Sequence, residues 1–376
     1  MTTPTELRVL QFCHGYDGPF LDCARQYASL FVGTPYKVTT VYLTGAPSVE
    51  VERGSASDEV VFLDYRSRDV RGLKLKAIRD IKRLVAGRNF QFCIAHRFKP
   101  IYVALLGTNL PVIGVHHGFG DYQRLSRKLF ANYFRKRLAL LGVSNAVRDE
   151  IRTCLPSWPA ERIETLYNRI DIAAVQAEQV CRDDARAHLG LPQDAWVVGN
   201  VGRLHPDKDQ ATLIRGFAEA LPQLPAGSLL VIMGSGRLEA ELKALAAELG
   251  VSTSVRFLGQ VSQGRRYFKA FDVFALTSDH EPFGMVLLEA MAAGVPVICS
   301  DCGGGREVVG ESEWLFALGS AQALGQRLVR MAIERPQSQA DFVEALHDRI
   351  VNMFSDTATR RVFWHLPMLQ SIAREQ

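Results

Sequence analysis

At 376 residues the chain is longer than one ordinary compact core needs and comfortable for two. Hydrophobic residues make up 47% and charged residues 22%, which excludes the disordered and fibrous classes. The formal net charge of +4 conceals an asymmetry: residues 1–172 hold 25 Lys and Arg against 16 Asp and Glu, a net of +9, whereas residues 173–376 hold 19 against 24, a net of −5. One half is therefore expected to face an anionic partner such as a membrane surface, nucleic acid or a phosphorylated substrate.

The opening Met1-Thr-Thr-Pro-Thr-Glu6 lacks the basic start and apolar run of a signal peptide. Apolar runs such as Leu229 to Met233 are far too short to span a bilayer, so a cytoplasmic protein is expected. Short apolar runs rich in β-branched residues then alternate with helical patterns. Strands are expected at Leu7 to Phe12, Val38 to Leu43, Val60 to Leu63, Phe92 to Ala95, Pro111 to Val115 and Leu138 to Val143. Helices are expected at Pro19 to Phe31, Leu73 to Ala86 and Tyr102 to Leu106. Continuous apolar strands joined by helices indicate a parallel sheet covered on both faces.

The second half repeats the rhythm. Trp196 to Val201, Ser228 to Ile232, Val255 to Phe257, Val273 to Leu276 and Val295 to Cys299 read as strands, with helices at Gln210 to Ala220, Arg237 to Leu249 and Gly284 to Ala293. The expected class is α/β, with two doubly wound Rossmann-like domains facing across a cleft. The first spans 1–170, the second 171–355, and a helical segment at 356–376 crosses back to the first. Ligands of such sheets bind beyond the carboxyl ends of the strands. There the loops carry His14 to Pro19, His116-His117-Gly118, Gly202-Arg203, Gly234-Ser235-Gly236, Gly259 and Ser278 to Glu281.

Glu281 and Glu289 form the first chemical constellation. Pro282 suits a helix start, and eight residues of helix place the two carboxylates roughly 12 Å apart along the axis. They would then serve different parts of one extended ligand. Phe283, Gly284 and Met285 bring backbone N–H groups to the helix N-terminus, a natural phosphate site. The second constellation is Arg203 with Lys208, two cations in one loop that can neutralise a diphosphate and stabilise its departure. Seven scattered cysteines argue against a full disulfide framework. Cys299-Ser-Asp-Cys302 has no second Cys or His pair to complete a zinc site, so reduced thiols are expected there.

Gly202-Arg203…Lys208-Asp209, the Glu281…Glu289 pair, Gly294-Val-Pro-Val and Gly303-Gly304…Glu307 together resemble family 4 glycosyltransferases of the GT-B fold, such as the bacterial lipopolysaccharide-core enzymes. The resemblance is strongest from about residue 196 to 309 and implies a retaining, metal-independent hexosyl transfer. The donor would be a nucleotide-sugar, a UDP-activated hexose or N-acetylhexosamine, and the acceptor a glycolipid or oligosaccharide. Arg203 and Lys208 would hold the donor pyrophosphate, Glu281 the sugar and Glu289 the ribose. Phe283, Gly284 and Met285 would meet phosphate or sugar, and Gly234 and Val261 would line the donor pocket. Val112-Ile-Gly-Val-His-His117 resembles the family strand that ends in a histidine beside the transferred sugar, which favours His117 over His116. Gly15 and Gly18 carry over from the family's first loop, where Asp17 stands in place of a glycine. Arg169 likewise replaces a glycine in Asn168-Arg169-Ile170-Asp171. No cofactor or metal is implied, and no Asp-x-Asp stands where an ion would bridge phosphates.

The basic half concentrates in two stretches, 66–83 and 124–137. In the second, Arg124, Arg127, Lys128, Arg135, Lys136 and Arg137 interleave at helical spacing with Leu125, Leu129, Phe130, Tyr133 and Phe134. This pattern describes either a helix lying on the anionic cytoplasmic face of an inner membrane, where a lipid-linked acceptor would be met, or an ordinary helix packed on the sheet with its cations outward. No nucleic-acid module is present. An epimerase or hydrolase of the same fold, or a non-catalytic nucleotide-sugar binder, stands as the alternative.

Overall fold

The computed structural model describes residues 6–310, 313–333 and 336–374. The opening residues 1–5, most of Met1 to Glu6, and the last two therefore lie outside the described residues. The chain divides into two compact units, Met1–Asn168 with Asp356–Gln376, and Arg169–Ser355. No helix among the described residues is long and apolar enough to cross a membrane.

The first unit is built on seven parallel strands: β1 (Leu7–Cys13), β2 (Tyr36–Thr44), β3 (Glu59–Tyr65), β4 (Phe90–His96), β5 (Val112–His116), β6 (Leu138–Gly142) and β7 (Ile163–Thr165). Their spatial order is β3-β2-β1-β4-β5-β6-β7. Val9 on one face of β1 and Leu10 and Phe12 on the other are all fully buried, so both faces of the sheet are covered. The order reverses direction at β1, whose neighbours are β2 and β4. That point opens a crevice beyond the carboxyl ends of β1 and β4.

The returning segment completes this unit through the helices Asp356–Trp364 and Pro367–Arg374. Trp364 stacks on Tyr36 at 6.0 Å and its Nε1 donates to Leu30 O at 3.1 Å, while Phe363 meets Phe31 edge-on.

The second unit repeats the winding with six strands: β8 (Val197–Val201), β9 (Leu229–Met233), β10 (Val255–Gly259), β11 (Val273–Leu276), β12 (Val297–Ser300) and β13 (Leu315–Phe316). The order is β10-β9-β8-β11-β12-β13, again with its reversal at the first strand. Leu213, Ile214 and Phe217 of the helix Gln210–Ala220 pack with Leu230, Ile232 and Val273 in one buried cluster.

A buried arginine ties the first helices of this unit to its sheet. Arg186, fully buried on the helix Arg182–Leu189, donates to the carbonyls of Ala270, Pro192, Gln193 and Ala195 and pairs with Asp272 at 2.8 Å. Asp272 also accepts from Val197 N at 2.7 Å, which fixes the start of β8.

Three expectations change. Strands β7 and β13 were not expected; they are three and two residues long, too short to show a period. The basic helix is confined to Leu125–Tyr133 and does not run to residue 137. The donor-side helix runs Met285–Ala292, so Pro282 and Phe283 precede it.

Replacing Arg186 with Met should lower unfolding stability by about 3–5 kcal/mol, because the Asp272 carboxylate and several carbonyls lose their partner together. Arg182→Ala, at a partly exposed pair with the same aspartate, should cost under about 1 kcal/mol. Urea titrations of both variants test this, and equal losses would mean that Arg186 has no special role.

Candidate active site

At the carboxyl edge of the second sheet, three loops close on one carboxylate. Lys208 Nζ meets Glu281 Oε2 at 2.6 Å, and Ser278 Oγ donates to the same oxygen at 3.1 Å. Glu281 is only 7% exposed and Lys208 is half-buried, so the pair is largely withdrawn from water. Lys208 reaches this position because the short turn Pro206–Lys208 ends at Asp209 in a left-handed conformation. Asp209 also caps the helix Gln210–Ala220 by accepting from Thr212 N and Thr212 Oγ1. Thr277 Oγ1 donates to Lys208 O at 3.0 Å and ties this turn to the end of β11.

Glycine makes the approach possible. Gly303, at φ +47°, lies so close that a Cβ would fall 2.4 Å from Glu281 O, and Gly304 N donates to that oxygen at 2.8 Å. A Cβ on Gly234, at φ +146°, would stand 1.8 Å from Gly202 O, which presses the β9 loop directly onto the loop that carries Arg203. Any side chain at either place would separate backbones that now touch.

Arg203 itself is exposed, with Asp207 Oδ2 at 3.5 Å, and is available to a ligand at little desolvation cost. Gly284, at φ +102°, caps the helix Met285–Ala292 with no side-chain bond to its first amides. Phe283 is buried against Phe354 at 5.7 Å, so its side chain is a packing residue and only its backbone is open to a ligand role. Glu289 is half-buried on that helix, and Val261 follows Gly259 at the end of β10.

The two glutamates do not share one helix as expected, since Glu281 lies four residues before its start at Met285. A left-handed glycine separates them, and no helical rise relates their carboxylates. Contrary to expectation, a triplet with Asp-x-Asp spacing, Asp207-Lys208-Asp209, does stand in the loop that carries Arg203. Asp209 is engaged in helix capping, and Asp207 pairs with His205 and Arg203. Cys299 and Cys302 are free thiols, both pushed up by burial, and Cys302 Sγ donates to Ser278 O at 2.9 Å.

In the first unit, His117 lies just past β5. Its ring stacks on His96 at 5.3 Å, the two share a hydrogen bond of 3.0 Å between Nε2 and Nδ1, and Cys23 Sγ lies 3.9 Å from the remaining nitrogen. Burial above all, and then His96, His116 and Arg97, holds His117 well below the ordinary histidine range. His116 is a core residue bonded to Asp121 at 2.8 Å and Tyr122 at 3.2 Å. Gly15 is pressed against Thr44 Oγ1, whereas Gly18, at φ +59°, has open space around it.

The basic stretch divides. Arg137 turns inward and donates to Thr108 O at 2.6 Å and to Leu105 O and Leu110 O, satisfying carbonyls at the end of the helix Phe98–Gly107. Arg127 bonds the Asp121 carboxylate and lies 4.5 Å over the Phe98 ring. These two leave the expected surface set, whereas Arg124, Arg135 and Lys136 are exposed and Lys128 is partly so.

Two family models match the chain. "Glycosyltransferase Family 4" covers residues 24–174 and "Glycosyl transferases group 1" covers residues 182–348. The chain belongs to the family 4 glycosyltransferases of the GT-B fold. Among curated relatives, the lipopolysaccharide core biosynthesis glycosyltransferase LpsE of Rhizobium meliloti is 34% identical over 183 residues, 48% of this chain and 52% of that protein. The chain spans about half the length of the curated relatives it matches first. A glycosyltransferase from Rickettsia africae superposes with a TM-score of 0.83 at 16% identity, covering 99% of this chain and all of that one. Anabaena HepE, solved with UDP and glucose, superposes at 0.75 with 20% identity, covering 98% and 99%. These structures share the fold with this glycosyltransferase-family chain.

The buried histidines give the first unit a pH dependence. His96 is pushed down to about 3 by burial, against about 6.5 in an unfolded chain. Below pH 6.5 the unfolded chain binds a proton that the folded one refuses. Stability from this group should therefore fall by about 1.4 kcal/mol per pH unit until about pH 3. His117 adds to the same trend. Urea midpoints at pH 7.0, 6.0 and 5.5 should drop steadily, and an unchanged midpoint would show that these imidazoles are not buried neutral.

Proposed function

We propose that the protein transfers a hexosyl group from a UDP-sugar to a hydroxyl of a lipid-linked saccharide, with retention at the anomeric carbon and without a metal ion. The observation that carries the donor side is the Lys208–Glu281 pair held against the glycine loops beside an exposed Arg203. Arg203 and Lys208 would neutralise the diphosphate as the bond from the anomeric carbon to phosphate oxygen breaks, and the amides at Gly284 and Met285 would add donors. Glu281 would then accept hydrogen bonds from the sugar hydroxyls, and Glu289 from the ribose. Gly234 and Val261 would border the nucleotide, and Gly15, Gly18 and His117 the transferred sugar. The likeness to a UDP- and glucose-bound fold supports the donor class, and the likeness to a lipopolysaccharide core glycosyltransferase supports the acceptor class.

The same reading includes peripheral contact with an anionic leaflet. On the helix Leu125–Tyr133, Leu125 is 69%, Leu129 60% and Tyr133 82% exposed, at positions i, i+4 and i+8. This stripe is not buried on the sheet; Phe130 and Phe134 turn to neighbouring rings instead. Cations beside an exposed apolar stripe suit insertion at an anionic interface.

Thermal-shift titrations with UDP-, GDP-, ADP- and TDP-sugars should show stabilisation by UDP-sugars, since a ligand bound only by the folded state raises the melting point. Lys208→Ala or Arg203→Ala should lower transfer by about 100- to 1,000-fold. Turnover within twofold of wild type would remove both from the mechanism.

Replacing Leu125, Leu129 and Tyr133 by Ser together should abolish flotation with anionic vesicles at low salt, and wild-type flotation should weaken as salt rises. Flotation that ignores both changes would exclude this helix as the contact.

A further inference from the structure

Five cations, Arg97, Lys99, Lys74, Arg71 and Arg127, gather about the helix Phe98–Gly107, which follows β4 beside the crevice where the first sheet reverses its strand order. Arg97 is the residue before the helix, in an unusual backbone conformation (φ +72°, ψ +162°), and its guanidinium lies 4.6 Å over the Phe20 ring. Arg127 covers Phe98 at 4.5 Å and Lys74 covers Tyr102 at 4.7 Å. These rings lie four residues apart on one helix and both contact Phe130. Lys99 follows Phe98 on this helix, with Arg97, Arg71 and Arg127 as its charged neighbours. Of the five, Arg127 alone has a carboxylate partner among the described residues, Asp121.

Such crowding opposes folding unless an anion offsets it. Burial first holds both lysines below the ordinary range, followed for Lys99 by Arg97, Arg71 and Arg127, and for Lys74 by Lys99 and Arg127. His14, just past β1, is pushed down to about 4 by burial, then by Lys99 and Arg97. His14 Nδ1, beside these cations, is buried without a hydrogen-bond partner. The helix start adds amides with no side-chain cap.

We propose that Arg97, Lys99, Lys74 and Arg127 form a site for a phosphomonoester carried by the acceptor, a reading that rests on the transferase function above and assigns the acceptor class. Several cations from separate elements, with helix amides, match a dianion with three equivalent oxygens better than a single carboxylate. Cation–π contacts hold the guanidinium and ammonium groups in place before the ligand arrives. The transferred sugar would be added to a hydroxyl of this phosphorylated saccharide, and the phosphate would remain intact.

The test is isothermal titration of the full chain with glucose 6-phosphate, with inorganic phosphate in parallel. It uses wild type, the double variant Arg203→Ala/Lys208→Ala, and the separate variants Lys99→Gln and Arg97→Gln. Glucose 6-phosphate should bind wild type and the double variant alike and weaken by about tenfold or more in Lys99→Gln and Arg97→Gln. Binding that disappears in the double variant yet survives in Lys99→Gln and Arg97→Gln would overturn the phosphate site while leaving the donor reading intact. Vesicles with about 30% anionic lipid separate the two sources of phosphate. Flotation unchanged by Lys99→Gln supports the acceptor phosphate. Flotation lost in Lys99→Gln, with no glucose 6-phosphate bound by wild type, would assign the cluster to lipid headgroups and overturn the proposal.

Discussion

The candidate donor site depends on a single half-buried ion pair, Lys208 with Glu281. Two charges this far from water are stable only when each finds its partner at short range with further hydrogen bonds. Ser278 supplies one such bond to Glu281, and Gly304 N and Thr277 anchor the backbones on either side. The requirement propagates outward. Gly303 must be a glycine because the chain passes Glu281 O too closely for a Cβ, and Asp209 must adopt a left-handed turn so that Lys208 can reach across. In the proposed transfer, the carboxylate that fixes these loops would also accept from a sugar hydroxyl.

Around that pair, the parallel winding explains why chemistry gathers at one edge. Every strand of each sheet runs the same way, so every strand-to-helix loop emerges at the same side. In the second sheet the loops after β8, β9, β11 and β12 carry Arg203, Gly234, Glu281 and Gly303. In the first, the loops after β1, β4 and β5 carry His14, Arg97 and His117. The reversal of order at β1 and at β8 leaves one crevice in each sheet.

The sheet strands with continuous apolar runs were legible because burial on both faces demands Val, Ile, Leu and Phe at successive positions. Strands β7 and β13 were not, since Ile163-Glu-Thr165 and Leu315-Phe316 are too short for any period to register. The residues of the donor loops were legible by type and by their place after strands, but their geometry was not. Nothing local in Glu281-Pro-Phe-Gly284 announces that the helix waits for a left-handed glycine. Nor does Arg186, in an otherwise polar helix, reveal that it is buried. Its partners Asp272 and Ala270 lie more than 80 residues away, and only the folded sheet brings them together. The basic stretch 124–137 shows the same limit in reverse. Spacing alone could not separate Arg137, which answers the carbonyls ending another helix, from Lys136 beside it, which is exposed.

The two units handle positive charge in opposite ways, and the contrast bears on how each meets its ligand. In the second, Lys208 is matched by Glu281 and Arg203 lies near Asp207, so the proposed diphosphate would exchange with partners already present. Binding there would be tunable, because the charge released by the carboxylate is the charge offered to the ligand. In the first, Arg97, Lys99 and Lys74 keep no carboxylate among the described residues, and aromatic faces lie against Arg97 and Lys74 alone. A ring quadrupole orients a cation without neutralising it. On the proposed reading, that uncancelled field would favour fast capture of a charged acceptor.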